Sequence, residues 1–407
     1  MKVKDFNKVQ KLFLILVLFY VLVATYFFIS RPAGGGDEIL FIHDLQFIKE
    51  NGWLRSVQKN VSIPYMILAL PFSFFLEDFI ALRLVNIILV FFLFGYFYKR
   101  EIKDNFFFFP YLLFYISAAG FYYFGTNDAL FFIALVIFFN EVHRCYNEND
   151  WSPNLALSAL IIAVFTRELY LVYLPVIVLG LYLLLKKKYH ISKKSIIPIF
   201  LFLFLLTMNI PSLLQSGTLS YDRKSPPIAI KASWSQRQYL AQLKVNKGEL
   251  ENMQHPSWEE TQDYLNIHGA DSLPDGIIKG MTHDFKLTIS EFFKDIWYIG
   301  IFHARSMGLM LIISILFWGW EMIQGRKLLI EKHLIPIITV IMIMIFSLII
   351  ISYVEQRWLS PVFIMCVVYY NFLEKRKKLP HLIIKSNLVF LYFVMMYGLY
   401  GLIDKLL

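Results

Sequence analysis

Apolar runs long enough to cross a bilayer recur along the whole of this 407-residue chain, and no other feature narrows its fold as much. About 20 helical residues cover the ~30 Å of hydrocarbon in a membrane. About eleven runs qualify by hydropathy: 11–30, 79–98, 106–123, 128–142, 153–165, 169–185, 195–214, 296–320, 334–352, 358–372 and 382–402. Hydrophobic residues are 58% of the chain and charged residues only 17%, more apolar surface than a soluble core of this length could enclose. The expected fold is an all-α polytopic membrane protein, one transmembrane domain over 1–407. Pro64 and Pro71 bracket a short apolar piece, 65–70, that reads as interfacial or re-entrant within a first external loop, 31–78.

Basic residues set the expected orientation. With Lys2, Lys4 and Lys8 cytoplasmic, alternate connections carry Lys99, Arg100 and Lys103; Arg144; Lys186, Lys187, Lys188, Lys193 and Lys194; Arg326, Lys327 and Lys332; and Lys375, Arg376, Lys377 and Lys378. All of these fall on one side, as the positive-inside rule requires. The net charge of +9 is then a topological signature and implies no nucleic-acid partner. The first run has a basic start and no small-residue cleavage pattern, so it reads as an uncleaved signal-anchor. Cys145, in a cytoplasmic connection, and Cys366, inside a run, are not placed to pair. No correspondence of broken helices between two halves suggests an inverted-repeat transporter.

Acids and arginines collect at the opposite, external connections. Asp37 and Glu38 follow Gly34-Gly35-Gly36, Asp128 follows Gly125-Thr126-Asn127, and Arg167-Glu168 close the next external turn. His303 and Arg305 lie in the outer part of the run after the large loop, and Glu355-Gln356-Arg357-Trp358 precede the run containing Pro361. Ionisable groups at membrane depth are costly and usually have a task. Each residue also has an ordinary explanation. Asp37 and Glu38 suit a helix amino terminus and Asp128 an N-cap. Arg167 with Glu168 suits a neutralised turn, and Arg357 with Glu355 an interfacial anchor and its counter-charge. Confinement of the whole set to one face favours a common site.

Asp37 and Asp44, two turns apart, share a helical face and with His43 invite a hard cation such as Mg2+ or Mn2+, but polar residues on an interfacial helix explain His43 and Asp44 as well. A large external loop, 215–295, is expected to cover the site. Within it a helix is predicted over 233–253, a capping box at Ser257-Trp258-Glu259-Glu260, a stop at Gly269, and a partly amphipathic stretch over 277–293. Trp234, Trp258 and Tyr264 are candidates for stacking on sugars or anchoring at the interface. His255, Asp263, His268, Asp271, His283 and Asp284 lack zinc spacing and read as solvated loop residues.

The order of these elements resembles the GT-C superfamily of integral-membrane glycosyltransferases. An acidic pair follows the first run, an external Asp the third and an Arg the fifth, and Glu-x-Arg-aromatic precedes a late run. The segment from Gly36-Asp37-Glu38-Ile39 through Ala81-Leu82-Arg83-Leu84-Val85-Asn86 is similar to the amino-terminal region of members using polyprenyl-phosphate sugars. Dolichyl-phosphate-mannose/glucose transferases and bacterial lipid-A aminoarabinose transferases are among these types. The chain has no recognisable soluble carboxy-terminal domain of the kind many members carry.

The resemblance implies an inverting transfer on the non-cytoplasmic face, from a polyprenyl-phosphate-linked sugar to a lipid-linked or protein-linked glycan acceptor. It implies Asp37 as general base with Glu38 as its backup or an acceptor-positioning group. Arg357 would bind the leaving phosphate, with Arg167 or Arg305 as a second contact. Asp128, Glu168 and Glu355 would position sugar, acceptor or arginine, a divalent cation being optional. Composition leans towards a bacterial inner membrane, with the site facing the periplasm or exterior. A lipid or solute transporter (a flippase, for example) and an external glycan polymerase or ligase are the competing classes.

Overall fold

Residues 128–147 are apolar on every side between polar ends, a pattern that suits a helix at the centre of a bundle. In the computed structural model, which describes residues 8–101, 107–148, 151–187, 195–221, 226–227, 229–324 and 330–406, this segment is such a helix, almost wholly enclosed by protein. Among the described residues the chain is all-α. The first ten helices are α1 (Lys8–Ile29), α2 (Glu38–Asn51), α3 (Trp53–Gln58), α4 (Ile63–Ser73), α5 (Asp78–Glu101), α6 (Phe108–Ala119), α7 (Asp128–Asn147), α8 (Pro153–Thr166), α9 (Tyr170–Lys186) and α10 (Ile196–Ser216). They are followed by α11 (Trp234–Asn246), α12 (Trp258–His268), α13 (Ile277–His283), α14 (Phe285–Met307), α15 (Met310–Ile323), α16 (Leu334–Leu348), α17 (Ser360–Lys375) and α18 (His381–Asp404).

The expected count of about eleven spans is corrected. Among the described residues five helices are long and apolar enough to cross a membrane, namely α1, α5, α7, α10 and α18; α14 and α15 together make a sixth, bent by 113°. The shorter helices mislead hydropathy because they are apolar enough for a span but not long enough for one. α6 has 12 residues, α8 14 and α16 15, so at 1.5 Å per residue they reach only roughly 18–23 Å. α6 and α17 are buried along almost their whole length. The run 296–320 is mostly apolar but changes direction near Gly308, which composition cannot register.

Several long apolar helices mark an integral, multi-pass membrane protein. The outward faces of α1 and α18 agree: Ile15, Leu22, Phe393 and Tyr400 are exposed, an arrangement lipid stabilises and water does not. Of the basic residues used for orientation, Lys2, Lys4, Lys103, Lys188, Lys193, Lys194, Arg326 and Lys327 lie outside the described residues.

The chain divides into two compact units. Unit 1 comprises Met1–Asp222, His303–Thr339 and Ser360–Leu407; unit 2 comprises Arg223–Phe302 and Val340–Leu359. In unit 1, α5, α8 and α17 pack on α7, α1 packs on α6 and α18, and α10 packs on α3, α4 and α8. Cys145 lies inside α7 rather than in a connection, and it and Cys366 are both buried and free.

At one end of α7, Glu141 pairs with Arg100 at 3.0 Å and accepts from the Tyr96 hydroxyl at 2.8 Å. The α14–α15 break is satisfied by side chains. Buried His303 accepts from the Leu311 amide at 3.0 Å through Nε2, and Asn387 Oδ1 accepts from the Leu309 amide at 2.8 Å. Gly308 turns the chain with φ +68, and a Cβ there would lie 2.8 Å from Asn387 Oδ1.

Unit 2 holds the expected large loop, which is largely helical. Its core gathers Ala232, Tyr239, Leu240, Leu265, Leu273 and Ile350. The helix predicted over 233–253 stops at Asn246, and α12 starts at the predicted Ser257/Glu260 capping box and ends at Gly269. A second capping box, Ser233 with Gln236, starts α11.

Candidate functional site

The glycine run 34–36 leaves α1 and delivers the chain to α2 with its two carboxylates in different surroundings. Asp37 is the N-cap residue of α2, but its side chain makes no capping hydrogen bond and is half-buried. The helix-start explanation therefore accounts for its position and not for its carboxylate.

Glu38 is fully buried and forms a clasp. It accepts from Arg83 Nε at 2.8 Å and Nη2 at 2.7 Å, from the Gly125 amide at 2.8 Å and from the Gly34 amide at 3.0 Å. Burial alone would raise its carboxyl pKa; the Arg83 and Gly125 hydrogen bonds, the Arg83 charge and the Gly34 amide outweigh burial and hold the group below its ordinary value. Arg83 completes the clasp by donating to the carbonyls of Ile29, Arg31 and Pro32 at 3.2, 2.9 and 3.1 Å. A Cβ at Gly125 would lie 2.5 Å from Leu82 Cβ and 3.0 Å from Glu38 Oε1, so glycine permits the loop to approach this closely.

The same loop leads to Asp128, the first residue of α7. Asn86 anchors it, donating through Nδ2 to the carbonyls of Phe124 and, at 3.0 Å, Thr126. The Thr126 hydroxyl donates to Asp128 Oδ2 at 3.2 Å. Arg167 forms an ion pair with Asp128, which is nearly inaccessible to solvent. The carbonyl of Thr166 accepts from Asn127 Nδ2 at 3.1 Å and from Ser62 at 2.8 Å. Three connections distant in sequence, 31–38, 124–128 and 166–168, therefore meet at one end of unit 1.

The remaining predicted site residues are placed as follows. Glu168 is exposed beside Arg167. Arg305 is exposed, with its guanidinium 5.9 Å from the Tyr397 ring centroid. Glu355 and Arg357 belong to unit 2 and pair at 2.9 Å. Among the described residues no group of three His, Cys, Asp or Glu could hold a metal ion.

Sequence reasoning passed over three residues of this constellation. Arg83 and Asn86, three apart in an apolar run, are the intramembrane polar pair that a depth argument should have singled out. Arg31 is exposed, with its guanidinium 4.7, 5.6 and 5.9 Å from the rings of Phe27, Phe28 and Phe124. Ending an apolar run with an arginine is common enough to carry no signal by itself. Comparison with protein families, with characterised proteins and with solved structures finds no match to this chain.

Proposed function

We propose that the protein is an inverting, GT-C-like glycosyltransferase that moves a sugar from a polyprenyl-phosphate donor to a glycan acceptor on the non-cytoplasmic membrane face. The observation that carries this reading is the meeting of the Asp37–Glu38, Gly125–Asp128 and Arg167 connections in unit 1 of an integral membrane protein. Carboxylates and a guanidinium at the end of a transmembrane bundle are what the reaction asks of a protein.

In the proposed step an acceptor hydroxyl oxygen bonds to the anomeric carbon as the bond from that carbon to the phosphate oxygen breaks. Asp37 takes the hydroxyl proton, a contribution of about 10²–10⁴-fold for a placed general base. The leaving polyprenyl phosphate takes the electron pair, and a guanidinium stabilises its growing charge better than an ammonium does. Arg167, partly exposed and oriented by Asp128, suits that role, and Arg31 offers a second guanidinium that no carboxylate pairs with among the described residues. Arg305, in the same unit, remains a candidate for a donor contact. Glu38 acts by holding the loop that carries Asp37, so its role is positioning. The membrane assigned is a bacterial plasma membrane, with the site facing outward.

The test is transfer by the purified protein in vesicles supplied with polyprenyl-monophosphate sugar. Product formation that Asp37→Asn abolishes supports the reading. Vectorial flux of lipid or solute without a covalent product replaces it with a transporter, and activity only on diphosphate-linked donors replaces it with a glycan polymerase or ligase.

A further inference from the structure

Helix α14 is built inside out. Phe285, Ile289, Phe293 and Trp297 recur every fourth residue and are 72%, 42%, 66% and 68% exposed. Thr288, Glu291 and Asp295, on the opposite face, are each only 4% exposed. A helix with its apolar stripe outward and its acids inward suits a lipid-facing position with a polar interior behind it.

The inward acids differ in what holds them. Glu291 accepts from Asn246 Nδ2 at 2.9 Å and pairs with Lys294 at 3.1 Å. Asp295, one turn on, has no hydrogen bond among the described residues. The Tyr353 hydroxyl lies within electrostatic reach of Asp295, Tyr298 and Glu355 and within hydrogen-bond reach of Gln356. Gln356 is 4% exposed, and apart from its contact with the Tyr353 hydroxyl neither its Nε2 nor its Oε1 meets a partner in good hydrogen-bond geometry. The Tyr298 and Tyr353 rings lie 5.8 Å apart between centroids. A buried amide without well-formed hydrogen bonds and a buried carboxylate with none, both reaching the same tyrosine, are costly unless something else completes the bonds.

We infer that Asp295, Gln356, Tyr298 and Tyr353 form a binding site in unit 2 for a neutral, hydroxyl-rich ligand, a sugar ring. A carboxylate accepts from one or two ring hydroxyls, the amide both donates and accepts, and the tyrosines offer apolar faces with polar edges. A cation suits the site less well, because Lys294 already brings positive charge to Glu291 and only Asp295 remains as an unengaged acid. Naming the ligand as donor or acceptor sugar rests on the proposed transferase reading; the site itself does not.

Saturation-transfer NMR tests this on the full chain in non-glycosidic detergent. The probes are methyl glycosides of glucose, galactose, mannose and N-acetylglucosamine, with glycerol as control. At least one glycoside is expected to receive saturation well above glycerol, falling at least 5-fold in Asp295→Asn and in Gln356→Ala. Gln356→Ala removes at most the contact with the Tyr353 hydroxyl and leaves the charged groups in place, so it keeps the test decisive if Asp295→Asn misfolds. The inference is overturned if no glycoside exceeds glycerol, if both variants bind as the parent does, or if Mn2+ alone binds in an Asp295-dependent way. Binding without sugar transfer sinks the transferase reading alone, and transfer without this binding sinks the site alone.

Discussion

Glu38→Ala is expected to act on the fold before it acts on any chemistry. The substitution leaves the guanidinium of Arg83, only 5% exposed, without its counter-charge and removes the acceptor for four hydrogen bonds. Breaking a buried ion pair by deleting one partner costs about 3–5 kcal/mol. Arg83 keeps three backbone carbonyls, which places the loss near the lower end, about 3 kcal/mol. For a chain of this size that corresponds to a fall in Tm of roughly 6 °C, taking about 2 °C per kcal/mol. Intrinsic-fluorescence melting of the purified protein in micelles reads it.

The cycle with Arg83→Met separates the pair from its surroundings. If the clasp is the cause, Glu38→Ala/Arg83→Met should be more stable than the sum of the single losses by about 2 kcal/mol. A Glu38→Ala protein that melts within 1 °C of the parent (about the resolution of such a scan), or additive single effects, would refute the clasp and return Glu38 to the substrate.

Asp37→Asn should lower transfer by about 10²–10⁴-fold, with the melting of the variant read beside it as the control for folding. Acid melts should show the Glu38 contribution directly. Its folded-state pKa lies below the ordinary 4.5, so its stabilisation is complete above that value and is lost as pH falls through the lower folded value; Glu38→Gln should remove that acid dependence. Gly308→Ala forces a Cβ to 2.8 Å from Asn387 Oδ1 at positive φ and should lower stability by about 1–3 kcal/mol, measured by the same melts. Ser257→Ala breaks the α12 capping box and should cost about 1 kcal/mol locally, seen as faster amide exchange in the first turn of α12.

Class and local caps were legible in the sequence because each depends on neighbours in the chain. The α12 cap follows from Ser257 and Glu260 three residues apart, and the membrane class from apolar bulk. The span count was not legible, because hydropathy treats an apolar residue facing protein and one facing lipid alike. Phe131, Tyr115 and Tyr370 are apolar or aromatic for the first reason, Phe393 and Leu22 for the second.

Of the candidate residues, Glu38, Asp128 and Arg167 stand out in the sequence by charge and not by partner. Arg167 has Glu168 as its neighbour in sequence but pairs with Asp128, and Glu38 finds Arg83 from 45 residues away. Such choices depend on the packing of α5, α7 and α8, which no local spacing encodes.

The central claim is that Asp37 takes the proton of an acceptor hydroxyl during sugar transfer from a polyprenyl monophosphate. Its most direct test is single-turnover transfer of labelled sugar in vesicles by the parent and by Asp37→Asn, with melting of both as the control for folding. The account predicts labelled glycan from the parent and a loss of at least about 100-fold in the variant, with a cooperative melt showing that the variant is folded. Equal transfer by the two proteins, or no covalent product from the parent with any polyprenyl-monophosphate sugar, would contradict it.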